Sequence, residues 1–417
     1  MAQVSIDPAT DSLSYWHATA EPLVPDSDLP STSDVVVIGG GLLGCWTTYW
    51  LARQGIRVTL LERTAIGWGA TGRNGGFLVG GTALGYPKLV ETVGRDAARG
   101  LHQLTLDGQA LAFDVVAEEG IDCDLRREGT LNLDLTDESL ESTRASQRLL
   151  ASDGFGIEVL DRDGLRELIA TPLADHIVGA SYSPNDGLLH SSRYLAGIAR
   201  AAERHGARLV QASVTALTSR NGSTRVETTS GSIDAGRVVL ALNAWSDTLV
   251  PDLAGLIVPT RGQILAYEPA PRVFSTAVGT DITPTGEYWQ QTLDGSIVIG
   301  GYRASAPNGD MGVREMIPTG DVTSRIEEIL PSLFPELTSL TVARRWAGLM
   351  AFTSDRLPIV DSVPGLPGGW MAGGFNGHGM TYGPRIGQLL AEAVTTGDMP
   401  GSLAPLRLDR PTLTPLA

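Results

Sequence analysis

Lysine and cysteine are scarce in this sequence. Lys88 is the only lysine among 31 basic residues, and arginine supplies the rest. The two cysteines, Cys45 and Cys123, are too few for a disulfide framework and lack the spacing of metal ligands. We therefore predict no bound metal and a reduced, cytoplasmic setting.

Long apolar runs and an excess of positive charge are also missing. No run approaches the roughly eighteen apolar residues of a membrane-spanning helix, and the first residues lack the basic flank and apolar core of a secretion signal. The net charge of −16 disfavours broad binding to nucleic acid. We expect neither a membrane nor nucleic acid as a partner, and no pattern in the sequence indicates an oligomeric state.

Glycine, in contrast, is abundant. Its 50 residues indicate many tight turns and close backbone approaches. One cluster, residues 39–44 (GGGLLG), lies between a β-branched run at 34–38 (DVVVI) and a helical pattern at 46–53. The run predicts a parallel strand that is buried on both faces. Residues 57–61 predict a second strand, which ends at Glu62.

This cluster is the GxGxxG pattern in the context that it requires, with a strand before it, a helix after it and an acidic residue about eighteen positions later. Gly39 would permit the tight turn, Gly41 would let the backbone reach a pyrophosphate, and Gly44 would let the helix pack on the strand. Glu62 would accept hydrogen bonds from a ribose and repel a 2′-phosphate. The motif predicts an ADP moiety, which either FAD or NAD could supply.

A second glycine cluster lies near the end of the chain. Residues 373–384 (GGFNGHGMTYGP) directly precede an apolar helical pattern at 386–394. So many glycines around His378 indicate that a ligand approaches this backbone closely.

Helical and strand-like patterns alternate along the rest of the chain. Helical spacing occurs at 96–119, 137–150, 191–205 and 321–330, whereas 256–302 is strand-like and broken by proline and glycine. The pattern predicts an α/β nucleotide-binding domain that is interrupted by a mixed, β-rich domain. We place an N-terminal arm, a loose cover, at 1–33, the nucleotide-binding domain at 34–95, 155–255 and 341–417, and the substrate-binding domain at 96–154 and 256–340.

With these pieces in order, the chain resembles the FAD-dependent amine oxidoreductases of the D-amino-acid oxidase and sarcosine oxidase superfamily. The resemblance depends on segments in the family's order: VVVIGGGLLG with Glu62, NDGLLHSSRY at 185–194, VVLALNAWS at 238–246, PTRGQ at 259–263, DGSIVIGG at 294–301, WAG…TSDRLPIVD at 346–361 and GFNGHGM at 374–380. Two further segments, SYWHATA at 14–20 and GATGRNGGF at 69–77, are most similar to the gamma-glutamylputrescine oxidoreductase branch.

The resemblance implies a Rossmann-type FAD-binding domain with an inserted substrate domain, and FAD rather than NAD. The C-terminal glycine segment would cover the isoalloxazine ring, and a helix beginning near Tyr382 would direct its positive end at the flavin. The motif and the resemblance together assign the cofactor site to Gly39, Gly41, Leu42, Leu43, Gly44, Glu62, Arg63, Thr71, Arg73, Asn74, Gly75, Gly76, Val214, Gly348, Gly374, Asn376, Gly377, His378, Gly379 and Met380. Some relatives attach FAD through a cysteine in the last third or a histidine near the second strand. This chain has no cysteine in its last third and an asparagine at 74, so we expect FAD to be noncovalent.

The implied reaction is hydride transfer to the flavin from the carbon next to a neutral amine of a small molecule. The imine would hydrolyse to an aldehyde or keto product, and molecular oxygen would reoxidise the flavin. Tyr288 and Trp289 would lie over the substrate, Arg303 or Arg261 would pair with a substrate carboxylate, and His378 would lie beside the ring. The same aromatic residues also suit a sheet core. A dehydrogenase with another acceptor, or an FAD-binding subunit of a larger complex, are the alternatives.

Overall fold

The computed structural model describes residues 12–220 and 222–416. The first eleven residues of the predicted N-terminal arm therefore lie outside the described part. The strands are β1 (Thr32–Ile38), β2 (Val58–Glu62), β3 (Phe77–Leu78), β4 (Thr130–Asp134), β5 (Glu158–Asp161), β6 (Gly179–Ser183), β7 (Gly187–Leu188), β8 (Arg208–Gln211), β9 (Val214–Arg220), β10 (Ser223–Thr228), β11 (Gly231–Leu240), β12 (Val258–Tyr267), β13 (Ala277–Thr280), β14 (Glu287–Gln291), β15 (Ile297–Gly300), β16 (Val342–Phe352), β17 (Ile359–Ser362) and β18 (Gly369–Gly373). The helices are α1 (Tyr15–Ala18), α2 (Leu42–Arg53), α3 (Tyr86–Val93), α4 (Arg95–Glu118), α5 (Asp137–Ser152), α6 (Arg162–Leu168), α7 (Ser191–Arg204), α8 (Gly320–Glu327), α9 (Ile329–Leu333) and α10 (Gly379–Thr396).

The first sheet has the strand order β17-β18-β11-β1-β2-β8, and β9 and β10 extend it from β11. Strand β1 pairs in parallel with both β2 and β11. Its residues Val36 and Val37 are fully buried, as expected of a β-branched strand with both faces covered. The connection β1-α2-β2 confirms the predicted Rossmann arrangement. Because β1 lies between β2 and β11, its carboxyl end is where ligands bind in open α/β sheets.

Three helices pack closely beside this sheet. A Cβ atom on Gly383 of α10 would lie 2.6 Å from the Leu42 side chain, and one on Gly387 would lie 2.8 Å from Trp46, so glycine sets the distance between α10 and α2. On its other side, α10 meets α4, where a Cβ on Gly108 would collide with the Thr381 carbonyl. Helix α4 therefore packs into the core of the first sheet, although residues 96–118 were predicted in the substrate-binding domain.

The second sheet has the order β16-β12-β15-β14-β13-β4-β6-β5. One of its faces packs against α8 and α9 in a separate core, which includes Leu131, Val278 and Leu330. Strands β5, β6 and β16 belong to this sheet, although they were predicted in the nucleotide-binding domain. The long antiparallel pairing of β12 with β16 explains the last of these differences, because residues 342–352 follow β12 in register and not the first sheet.

Part of the described N-terminal arm packs tightly against the protein, which differs from the loose cover that was predicted, although residues 18–19 and 26–28 are exposed. Trp16 is 1% exposed, and its indole Nε1 donates to the Asn74 carbonyl at 2.6 Å. Ser14 donates to the Gly72 carbonyl at 2.6 Å. The SYWHATA segment thus holds the loop after β2 in place through these two hydrogen bonds. Across residues 12–220 and 222–416, no helix has the length and apolar character needed to cross a membrane.

Candidate functional site

A cavity of about 870 Å³ lies between the carboxyl ends of β1 and β11 and the inner face of the second sheet. This volume falls within the range of small-molecule and cofactor sites. Of the predicted cofactor residues, the following line it: Gly39, Gly41, Leu42, Leu43, Glu62, Arg63, Thr71, Arg73, Asn74, Gly75, Val214, Gly348, Asn376, Gly377, His378, Gly379 and Met380. Gly44, Gly76 and Gly374 do not line it, and each has a structural role instead.

The glycine turn after β1 shows why three of its residues lack side chains. Gly39 has φ +111°, and a Cβ there would lie 2.6 Å from the Ala241 carbonyl oxygen. A Cβ on Gly44 would collide with the Gly39 carbonyl, so Gly44 permits helix packing as predicted. Gly41 differs, because the nearest protein atom to its Cβ would be the Thr71 hydroxyl at 3.8 Å. The space beside Gly41 is therefore part of the cavity and is open to a ligand.

Glu62 closes β2 beside this turn. Its carboxylate accepts from the Gly40 amide at 2.8 Å and from the Thr64 amide at 2.9 Å. Burial raises the pKa of Glu62, and the backbone N–H groups oppose that rise. The side chain therefore both fixes the glycine turn and presents a carboxylate at one end of the cavity.

The loop after β2 runs along the middle of the cavity. Arg73 is 1% exposed, and its guanidinium donates to the Ala347 and Trp68 carbonyls, each at 3.0 Å. Asn74 Oδ1 accepts from the Gly76 amide at 2.9 Å. Gly76, with φ +77°, does not line the cavity, and a Cβ on it would lie 2.5 Å from both the Gln290 side chain and the Leu189 carbonyl oxygen.

The second glycine cluster closes the cavity opposite this loop. Asn376 has φ +53° and donates its amide to the Ala351 carbonyl at 2.9 Å. Gly374, with φ +70°, turns the chain after β18 and does not line the cavity. Helix α10 begins at Gly379, three residues before the predicted start near Tyr382, and no side chain caps its first turn. Its free N–H groups and positive end therefore open onto the cavity.

His378 is the N-cap residue of α10 and lines the cavity there. Its Nδ1 lies 3.3 Å from the Asn376 carbonyl oxygen. Burial lowers the pKa of His378, so the imidazole is neutral at neutral pH. A neutral ring can donate or accept a hydrogen bond beside a ligand, but it supplies no fixed positive charge there.

The inner face of the second sheet supplies one of the two predicted aromatic residues. Tyr288 lines the cavity between Gly300 and Gly279, its neighbours on the adjacent strands. Burial raises the pKa of Tyr288 to about 12, so its hydroxyl stays protonated. Trp289 was predicted to lie over the substrate, and this is wrong. Because side chains alternate along β14, Trp289 points into the opposite core, where it is 0% exposed and contacts Phe334.

The two candidate arginines also differ, because only one of them lines the cavity. Arg261 does not line the cavity, because its guanidinium holds the Asp310 carboxylate through two hydrogen bonds of 2.8 Å. Arg303 lines the cavity, lies 4.8 Å from the centre of the Phe352 ring and forms no ion pair with a described residue. Arg356, which the sequence analysis did not single out, lines the cavity on the same phenyl ring at 4.6 Å. Burial lowers the pKa of Arg303, with Arg356 adding to the effect.

These features fit the FAD that the resemblance implies. Two helix N-termini, those of α2 and α10, border one long cavity without a side-chain cap from their N-cap residues, and both favour negatively charged groups. In α2, the Leu42 amide donates to the Thr71 hydroxyl at 3.1 Å. Glu62 lies at one end, and Gly41 leaves room that no protein atom fills. The two cysteines of the chain are buried, and neither lines the cavity.

Comparison with known proteins agrees with this reading. The profile of the FAD dependent oxidoreductase family, DAO, matches residues 34–393. The chain is 27% identical over 378 residues to the probable oxidoreductase OrdL of Haemophilus influenzae, with 88% of this chain and 84% of that protein covered. It is 28% identical over 396 residues to the gamma-glutamylputrescine oxidoreductase of Escherichia coli, with 91% and 88% covered.

A solved structure shows the same fold. Glycine oxidase from Geobacillus kaustophilus superposes with a TM-score of 0.78 at 23% identity, covering 91% of this chain and 99% of that one. The expected fold class and cofactor are thereby confirmed, since the profile spans the glycine turn after β1, both sheets and the helix end at α10. The chain belongs to the FAD dependent oxidoreductase family.

Proposed function

We propose that this protein oxidises an amine or an N-substituted amino acid, with molecular oxygen as the electron acceptor and hydrogen peroxide as a product. FAD, when bound, supplies the redox chemistry by accepting a hydride from the carbon next to the amine nitrogen. The observation that carries the proposal is the position of Tyr288 and Arg303, which line the same cavity as the two open helix ends. The similarity to the gamma-glutamylputrescine oxidoreductase of Escherichia coli supports the amine as substrate.

The protein's own groups would orient and tune the substrate. Arg303 would hold a substrate carboxylate, since its guanidinium faces the cavity without an acidic partner among the described residues. The protonated Tyr288 hydroxyl would donate to or accept from the substrate. Desolvation in the cavity lowers the pKa of the amine and so favours the neutral form whose lone pair assists hydride departure. The open end of α10 would stabilise negative charge on the cofactor.

The positive charge that assists oxygen reduction would come from an arginine or from a bound cationic product. Lys88 lies on α3 with a side chain that is 67% exposed and pairs with Glu91 at 3.0 Å. His378 is neutral because burial lowers its pKa. The basic side chains that line the cavity are arginines, and Arg73, which is the most deeply buried of them, lies in the loop along its middle. A flavin dehydrogenase that uses another acceptor is the alternative.

The reaction and its acceptor are tested together. Under anaerobic conditions the flavin is expected to bleach with an amine from a panel that includes N-methyl amino acids and gamma-glutamyl amines. Readmission of air should then yield peroxide equimolar with the amine consumed. Dye reduction without peroxide would support the dehydrogenase, and a flavin that no amine bleaches would overturn the proposed function. Acid precipitation should release the flavin into the supernatant, because no cysteine or histidine lies at the positions of covalent attachment.

Glu62→Ala tests the carboxylate beside the glycine turn. We expect the Kd for FAD to rise at least about tenfold, because the turn loses an acceptor for the Gly40 amide and the ribose loses its partner. The measurement is a titration of the apoprotein with FAD, followed by flavin fluorescence. Asp34→Ala removes an exposed carboxylate near the start of β1 and is the control. An unchanged Kd would remove Glu62 from the cofactor site.

A further inference from the structure

The cavity continues well beyond Tyr288 along the second sheet. Strand register places Tyr288, Gly279, Asn132 and Ser181 side by side on β14, β13, β4 and β6. All four line the cavity, whereas Leu131, Leu133, Ala180 and Trp289, which neighbour them in sequence, belong to the opposite core. Adjacent strands are about 4.8 Å apart, so this row extends about 14 Å from Tyr288. A substrate as small as glycine would leave most of that length unused.

The far end of this extension carries hydrogen-bond acceptors and a carboxylate. Asn132, Ser181 and Ser183 face it from the sheet, and Gly80 and Leu84 face it from the loop before α3. Asp186 lies at its end, in the turn between β6 and β7, and is 5% exposed.

Asp186 is a strongly buried acid that has no cationic partner among the described residues, a feature it shares with Asp134 and Glu287. Its Oδ1 accepts from the Gly80 amide at 2.9 Å and from the Gln109 side chain at 2.8 Å, and among the described residues it forms no ion pair. By comparison, Asp310 pairs with Arg261 and Asp355 pairs with Arg410. Burial raises the pKa of Asp186 to about 6, since only neutral donors oppose the desolvation of its charge.

A buried carboxylate is costly unless a cation compensates it. Two neutral donors satisfy one oxygen of Asp186 and fix its orientation, and the group still borders a cavity large enough to admit a ligand. Among the described residues, no cationic side chain pairs with Asp186. A ligand that brings its own ammonium group would supply the compensating charge.

We propose that the Asp186 end of the cavity is a cation subsite that binds a second ammonium group of the substrate. The oxidised amine would then be one nitrogen of a diamine, a polyamine or an amine with an aminoalkyl tail. This inference rests on the proposed function and specifies its substrate class. The reacting nitrogen lies near Tyr288, and the chain of the substrate follows the row from Gly279 to Ser181.

The first test uses the wild-type holoenzyme. Anaerobic stopped-flow measurement of flavin bleaching gives a Kd and a limiting rate for each amine of a series of α,ω-diamines and for the monoamine of each chain length. The best diamine is expected to bind at least about tenfold more tightly than its matched monoamine. The preference should rise with chain length to an optimum, as the second nitrogen reaches Asp186. Equal Kd values at every length would overturn the cation subsite, while bleaching by either series leaves the proposed amine oxidation intact.

The second test uses Asp186→Asn, which keeps an oxygen for the Gly80 amide and removes the charge. The ratio of monoamine Kd to diamine Kd is expected to fall at least about tenfold. Asp281→Asn removes a carboxylate that also lines the cavity, at its exposed mouth, and should keep the ratio. Equal losses in both variants would show a general field effect and overturn the specific site. Flavin content and the melting temperature establish folding, and if Asp186→Asn does not fold, the wild-type series decides.

Discussion

Gly41→Val is expected to give a folded protein that retains almost no FAD. Gly41 has φ −81° and ψ −173°, an extended conformation that valine adopts without strain. Apart from its chain neighbours, the nearest protein atom to the position of its Cβ is the Thr71 hydroxyl at 3.8 Å, so the side chain has room in the absence of cofactor. That room is the part of the cavity at the start of α2, where we expect the pyrophosphate of FAD to bind. A branched side chain there would exclude the phosphates from the start of the helix.

We expect the Kd for FAD to rise at least about a hundredfold, which corresponds to about 2.7 kcal/mol. Flavin absorbance per chain after purification, together with titration of the apoprotein, measures the loss. Gly100→Val, on α4, is the control, because no atom lies within 4 Å of its Cβ position. The apoproteins of both variants should melt near the wild-type apoprotein. Full flavin content in Gly41→Val would mean that the backbone at Gly41 does not contact the cofactor.

The comparison with Gly44 separates cofactor binding from folding. A Cβ on Gly44 would strike the Gly39 carbonyl, so Gly44→Val should lower the stability of the apoprotein itself. The two glycines are three residues apart in one motif; a Cβ on Gly44 would meet protein atoms, whereas a Cβ on Gly41 would point into the cavity.

The sequence predicted the parts of the fold that depend on local pattern. Strand β1, helix α2 and strand β2 follow from a β-branched run, a glycine turn and an apolar spacing within thirty or so residues. The start of α10 was placed late, because the glycines at 377 and 379 and the proline at 384 have poor helix propensity, and the fold overrides that preference through packing on α2.

The sequence patterns did not predict strand register or the pairing of residues far apart in the chain. Tyr288 and Trp289 are adjacent aromatic residues, and only the pairing of β14 with β13 and β15 determines which of them faces the cavity. Likewise, Arg261 and Arg303 are both arginines, and the sequence alone does not show which of them faces the cavity. The distinction comes from Asp310, which is distant in sequence from Arg261 and neutralises it. The sequence analysis did not single out Asp186, because the feature that marks it is the lack of a cationic partner among the described residues, and this depends on the fold.

Arg303→Met is expected to reduce the oxidation of amines that carry a carboxylate far more than the oxidation of amines that lack one. The Arg303 guanidinium lies against Phe352 and donates to the Gly309 carbonyl at 3.0 Å, which leaves other N–H groups for a ligand. A bidentate contact between arginine and carboxylate is a strong, charge-assisted one. We expect kcat/KM for a carboxylated amine to fall about a hundredfold, or about 2.7 kcal/mol, mainly through KM.

The matched pair of variants makes this prediction specific. Methionine replaces the arginine stem with a similar volume, and because Arg303 pairs with no described acid, its loss should change the melting temperature little. Arg261→Met, in contrast, leaves the buried Asp310 carboxylate without its cation and should destabilise the protein by about 3–5 kcal/mol. An unchanged kcat/KM for every carboxylated amine in Arg303→Met would remove Arg303 from the substrate site. If the same assay with Arg356→Met then showed the loss, Arg356 would hold the carboxylate, because it is the other cavity arginine that contacts the Phe352 ring.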